Sequence, residues 1–305
     1  MFNSEFYDML SRFCLAVNHK SSLNMSGNRK SVQKGISAEF SDFREYMPGD
    51  DLRRLDWNVY ARLDKMYIRE YMEEKESVVS ILLDTSESMN YGQKSKWELA
   101  SLLGAVMAYL ALNNMDRVMI YDMKNMQRPY NVSGGKNAFP KVLRWLESLE
   151  YSGSVDMFAA LKQMQRKGPG ITVLISDFLQ EELLEKENEQ YEKMMQYLLY
   201  CRQRPVILQT LCGEELHVSM EGTLNLIDME NESKLRITMD ARSIKAYENQ
   251  LQALVSRMKK GVRNGGTYVL CDTTRDRNQL VFEDLRVLYD CLLYTSPSPR
   301  DSTSS

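Results

Sequence analysis

The chain has 305 residues, 43% of them apolar and 27% charged, with a net charge of -3. These values fit one or two soluble globular domains and exclude a global electrostatic pull toward nucleic acid or anionic membrane. No apolar run is long enough to span a bilayer, the N-terminus lacks a signal peptide's apolar stretch, and the five cysteines (14, 201, 212, 271, 291) show no metal-ligand spacing; a cytoplasmic location without disulfides is expected.

Residues 2–18 place Phe2, Phe6, Met9, Leu10, Phe13 and Val17 at helical spacing and predict a short amphipathic helix. Residues 20–35 read as a polar linker. His19, Lys20, Arg29, Lys30 and Lys34 make it locally basic, but no aromatic residue is interleaved for base stacking, so a solvated arm is expected. Residues 36–76 are dense in charge and aromatics. From residue 78 strand and helix patterns alternate. Strands are predicted at 78–83, 117–122, 171–176, 205–211 and 267–271, and helices at 95–113, 136–149, 156–166, 181–203, 241–260 and 276–289. Such alternation implies an α/β domain over 77–290, with a mainly parallel sheet covered by helices on both faces. Residues 212–239 break the rhythm with three short strand patterns (216–220, 224–228, 234–238), an insertion or antiparallel edge. Residues 1–76 are expected to stand apart as helix, linker and charged segment. The stretch from Cys291 to Asp301, CLLYTSPSPRD, resembles a translated sequencing adapter, so 291–305 is expected to be a non-native tail. Twenty methionines are scattered, as adaptable core filler would be.

Two of the predicted strands end in the same way. The apolar run Ile81 to Leu83 stops at Asp84, with Ser86 and Ser88 following at alternate positions. The run Ile171 to Ser176 stops at Asp177. In a parallel sheet both carboxylates lie on one edge, beyond the carboxyl ends of the strands, where ligands bind. Carboxylate and hydroxyl oxygens are hard donors suited to Mg²⁺ or Mn²⁺. The bland alternative is that the serines only cap a loop and a helix.

Within 39–62, Pro48-Gly49 dictates a turn. Glu39, Asp42, Arg44, Glu45, Asp50, Asp51, Arg53, Arg54, Asp56 and Arg62 surround it, interleaved with Phe40, Phe43, Tyr46, Trp57 and Tyr60. Guanidinium groups take carboxylates bidentately and stack on aromatic faces. Three readings follow: a salt-bridge lattice, a partner-recognition surface, or a hydrolytic metal site of Asp50, Asp51 and Asp56. The balance of Arg and Asp favours mutual neutralisation.

From about residue 78 the chain resembles a von Willebrand factor type A domain with its metal-ion-dependent adhesion site. Asp84, Ser86 and Ser88 match the first loop of that site and Asp177 the third. The second loop, usually Gly-x-Thr-Asp, is here Gly153-Ser154-Val155-Asp156. Val155 stands at the threonine position and cannot ligate, which leaves Ser154 and Asp156 as alternative donors. The segment Arg44-Glu45-Tyr46, Pro48-Gly49-Asp50-Asp51, Arg53, Asp56-Trp57 and Ala61-Arg62 resembles the signature of domain-of-unknown-function family 58, whose members carry such a core. The resemblance covers roughly residues 20–210 strongly. It implies partnership with a MoxR-type AAA+ ATPase in assembling or activating other protein complexes, in a family whose domain has no established catalytic activity.

The expected function is a non-enzymatic binding module whose cation, Mg²⁺ or Mn²⁺, takes an acidic residue of a partner. A metal-dependent phosphatase is the rival. Haloacid-dehalogenase-type enzymes need a second Asp as general acid, and Ser86 occupies that position. A metal-free scaffold is the third reading, motivated by Val155. His19 and His217 stand alone, no Walker A motif is present, and Gly134-Gly135 and Gly265-Gly266 read as turns.

Overall fold

The computed structural model describes residues 2–24, 39–72, 78–92, 95–165, 168–180, 189–218, 222–227 and 234–288. The chain divides into two compact units, one of Met1–Asn24 with Ser77–Ser305, the other of Met25–Glu76. Helix α1 (Ser4–Asn24) belongs to the first. Its apolar stripe of Phe6, Met9, Leu10, Phe13 and Val17 is buried in the core of that unit, so the predicted helix groups with the sheet rather than with the charged segment.

The smaller unit pairs β1 (Glu39–Glu45) antiparallel with β2 (Tyr67–Met72), with a register shift between Phe40 and Asp42. A 3-10 turn (Leu52–Arg54) and helix α2 (Trp57–Leu63) lie between the two strands. Gly49 adopts φ +110° after Pro48, a left-handed conformation that costs glycine little. This ribbon was not predicted, because charges on both faces hide the period-2 alternation.

The larger unit is built on β3 (Val78–Leu83), α3 (Lys96–Asn113), β4 (Arg117–Asp122), β5 (Tyr130–Val132), α4 (Phe139–Glu147), α5 (Met157–Gln163), β6 (Gly170–Ser176), α6 (Gln190–Tyr200), β7 (Gln203–Leu211), α7 (Gly213–Leu216), β8 (Gly222–Ile227), β9 (Lys234–Met239), α8 (Ala241–Gly261), β10 (Thr267–Asp272) and α9 (Arg277–Phe282). Six strands form one sheet in the order β10-β7-β6-β3-β4-β5. All neighbours are parallel except β5, which runs antiparallel to β4 at the edge. Strands 78–83 and 117–122 stand as predicted, and the other three extend by one or two residues.

Side-chain alternation sorts the strands into two cores. Val79, Ile81, Leu83, Ile171, Val173, Ile175, Val206 and Leu208 face a core shared with α1, α3, α4 and α9. Leu82, Leu174 and Ile207 face a second core shared with α5, α6 and α8. Every residue of α3 from Ala100 to Leu112 is buried, because the helix lies between the sheet and other helices; an apolar surface all round fits that position. At Gly170 an added Cβ would sit 2.4 Å from the Val78 carbonyl oxygen, so β6 can start beside β3 only with glycine there.

Some predicted elements change. The predicted strand at 216–220 is instead a helical turn over Gly213–Leu216 and non-strand backbone at 217–218, while 219–220 lie outside the described residues; four residues cannot reveal a period. β8 and β9 do pair as the expected hairpin. The predicted 276–289 helix divides into α9 and a 3-10 turn at Asp284–Val287. The predicted 136–149 helix starts as a 3-10 turn at Gly135–Ala138, where Gly134 and Gly135 adopt φ +99° and +70°. The linker from 25 to 35, residues 181–188 of the predicted 181–203 helix and the tail at 291–305 lie outside the described residues.

Candidate site at the sheet rim

The chain leaves β3 toward β4 on one side and later returns to place β6 on the other. That reversal creates a topological switch point, where a crevice forms beyond the strand ends. Leu83 pairs with Ile175, and the Asp84 backbone N–H donates to the Ile175 carbonyl at 2.9 Å. Asp84, Ser176 and Asp177 are thereby carried to one rim, as the sequence pattern predicted for the two aspartates.

Asp84 is fully buried. Ser176 Oγ donates to its Oδ2 at 2.5 Å, and the Ser86 backbone N–H donates to its Oδ1 at 2.9 Å. Ser86 and Ser88 share a hydroxyl hydrogen bond of 3.0 Å. Burial raises the Asp84 carboxyl to about 6, the Asp177 charge pushes the same way, and the Ser176 and Ser86 hydrogen bonds oppose both. The loop after β3 is tied to the 150–156 loop. Glu87 N–H donates to the Gly153 carbonyl at 2.8 Å, and Ser152 N–H to the Thr85 carbonyl at 3.0 Å.

The second-loop candidates behave differently. Val155 is buried within the second apolar core. Ser154 is exposed. Asp156 is exposed and caps α5 by accepting from Ala159 N–H at 2.9 Å.

A cation does occupy the rim, and it is a side chain. Lys96, in the first turn of α3, is 1% exposed. Its Nζ donates to Asp177 Oδ2 and to Glu215 Oε1, each at 2.6 Å. Burial alone would lower the ammonium's pKa, but the Asp177 and Glu215 carboxylates outweigh it and hold the group above the usual lysine range. The remaining oxygens also have donors. Leu179 N–H reaches Asp177 Oδ1 at 3.1 Å, and Cys212 N–H reaches Glu215 Oε2 at 2.9 Å. Gln209 Nε2 donates to the Asp177 carbonyl at 2.8 Å, which anchors this loop to β7. The sequence pattern gives Lys96 and Glu215 no place in the site, and it gives Ser176 only as the end of a strand. Glu215 follows the end of β7 on the same sheet edge, which is the one signal that pointed toward it. Lys96 looked like an ordinary basic residue opening an apolar helix.

As arranged, these oxygens do not fit a resident divalent cation. Mg²⁺ asks for near-octahedral oxygen coordination at about 2.0–2.1 Å. Asp177 and Glu215 instead share an ammonium, Asp84 is engaged by Ser176 and Ser86, and the threonine position is an apolar side chain. Among the described residues no group of three or more His, Cys, Asp or Glu is placed to hold a metal ion.

In the smaller unit, the three aspartates of the hydrolytic reading accept from backbone N–H groups, and Asp50 also from an arginine. Asp50 takes Arg44 Nη2 and Met47 N–H, each at 2.9 Å. Asp51 caps the 3-10 turn through Arg53 N–H at 3.0 Å. Asp56 caps α2 through Asn58 N–H at 2.9 Å and Val59 N–H at 3.3 Å. Glu45, Pro48, Arg53, Trp57 and Arg62 are exposed, and Tyr46 is half-buried.

The family model described as Protein of unknown function DUF58 matches residues 42–257. This chain belongs to the DUF58 family. The match takes in both the Pro48-Gly49 turn and the rim. Curated relatives of this chain include an uncharacterized protein of Mycobacterium bovis and one of Mycobacterium tuberculosis H37Rv. Each is 27% identical over 174 residues, which is 54% of this chain and 55% of theirs. The chain thus spans about half the length of these curated relatives. Among solved structures, an aerotolerance-related membrane protein from Bacteroides fragilis NCTC 9343 aligns over 69% of this chain and 99% of its own, at 13% identity and TM-score 0.36. The conserved hypothetical protein BatB from Bacteroides thetaiotaomicron aligns over 70% and 99%, at 12% identity and TM-score 0.36.

Proposed function

We propose that this DUF58 chain is a non-enzymatic protein-binding adaptor of the von Willebrand factor type A kind, and that it engages its partner at the rim beyond β3 and β6. The observation that carries this reading is the convergence of Asp84, Ser86, Ser88 and Asp177 on one sheet edge at the switch point. A rim of fixed carboxylates and hydroxyls suits recognition of a polar side chain that donates hydrogen bonds. Acid-base chemistry is poorly served there. Ser86 stands where a phosphatase needs a general acid, and Glu87 is turned toward Gly153 N–H.

The resemblance at Arg44 to Arg62 extends the proposal to a MoxR-type AAA+ ATPase as the cytoplasmic partner, with assembly or activation of another protein complex as the outcome. The chain holds no Walker A motif, so nucleotide hydrolysis belongs to that partner. No helix among the described residues is long and apolar enough to cross a membrane. The test is capture of a MoxR-type AAA+ ATPase from the same organism by the tagged chain, with Asp84→Ala as the comparison and with EDTA or Mg²⁺ in the buffer. Binding that Asp84→Ala leaves untouched removes the rim from the proposal.

A further inference from the structure

The geometry points to the Lys96 ammonium as the resident cation of the rim, held between Asp177 and Glu215 in place of a divalent metal. The placement is built by three separate elements: Lys96 opens α3, Asp177 follows β6, and Glu215 lies in the turn after β7. Both ion-pair distances are 2.6 Å, and the exposures of the Lys96 and Asp177 side chains are 1% and 2%. A long, flexible lysine is rarely buried to this degree unless it is paired. Glu215 is fixed from both ends. Its Oε2 accepts from Cys212 N–H at 2.9 Å, and its carbonyl accepts from Tyr247 Oη at 2.9 Å. The carboxylate is thus positioned by the fold toward Lys96.

A divalent cation bound to Asp177 Oδ2 at the usual distance would lie within about 4.7 Å of the ammonium nitrogen that shares that oxygen. Two like charges in a water-poor rim repel strongly, so the ammonium and the metal exclude one another. Val155 removes a further oxygen from the place where a metal would need one. This inference concerns the source of the charge and goes beyond the adaptor reading. Its test involves no partner, so the two stand or fall separately.

The experiment uses the full chain, stripped with EDTA and then titrated with MgCl₂ or MnCl₂ alone. Calorimetry and thermal melts are read for wild type, for Lys96→Met, and for the triple variant Lys96→Met, Asp177→Asn, Glu215→Gln. Wild type is expected to give no binding heat and no shift in Tm. Lys96→Met strands two buried carboxylates, so its Tm falls and is partly restored by Mn²⁺ or Mg²⁺. The triple variant removes the stranded charges, regains most of the lost Tm and ignores the metals. A wild-type chain that saturates with either cation and loses that binding on Asp177→Asn overturns the inference. So does a Lys96→Met chain that melts as wild type does. Should Lys96→Met fail to fold, recovery by the triple variant supports the inference and failure of that recovery overturns it.

Discussion

Lys96 and Asp177 lie 81 positions apart in the chain, yet their side chains meet at 2.6 Å where almost no water reaches. The pair spans the gap between the first turn of α3 and the end of β6, so it reports whether both are in place. Removing one member of a buried ion pair leaves an uncompensated charge. Asp177→Ala is therefore expected to cost about 3 kcal/mol. Urea unfolding checks this, with a fall in midpoint at unchanged m-value.

Asp84 gives the fold a dependence on pH with a definite sign. Its carboxyl is raised by burial to about 6 from the ordinary 3.8, so the folded state binds that proton more tightly than the unfolded chain does. The favourable contribution is fully present below the unfolded value and is lost as pH rises through about 6. Asp84→Asn is expected to remove that slope and to be the more stable protein at pH 8, by an amount on the order of 2 kcal/mol. Denaturant midpoints measured from pH 4 to pH 8 check it; parallel curves for the two proteins contradict it.

Val155 tests whether the missing hydroxyl is what keeps a metal away. Its side chain packs in the second core, so Val155→Thr buries a hydroxyl at a cost of about 1–2 kcal/mol. With Lys96 still in place, the variant is expected to melt identically in Mg²⁺ and in EDTA. A metal-dependent rise in Tm would show that the threonine position, rather than the ammonium, controls the site.

The smaller unit offers a contrast between two adjacent residues. Asp56 is buried and caps α2, so Asp56→Ala is expected to cost about 1 kcal/mol as the loss of a cap. Trp57 is 62% exposed, and Trp57→Ala is expected to change stability by no more than about 0.5 kcal/mol. If this segment is a recognition surface, Trp57→Ala weakens capture of the ATPase while the melting curve stays put. Unchanged capture assigns the segment to structure alone.

The sequence by itself determined the five parallel strands of the main sheet, most of the helices and the shared edge of Asp84 and Asp177. Those features are periodic and local: an apolar run ending in a carboxylate reads the same in one dimension as in three. It also located the Pro48-Gly49 turn, because proline and glycine act on the backbone where they stand. It did not reveal the β1–β2 ribbon, whose strands carry charge on both faces, or the three-residue β5. Above all, it did not reveal that a lysine completes the rim. Lys96 and Glu215 are separated by 119 positions and belong to no shared motif. Only strand order and the packing of α3 against the sheet bring them together, and their ionic partnership depends on the exclusion of water that packing alone creates.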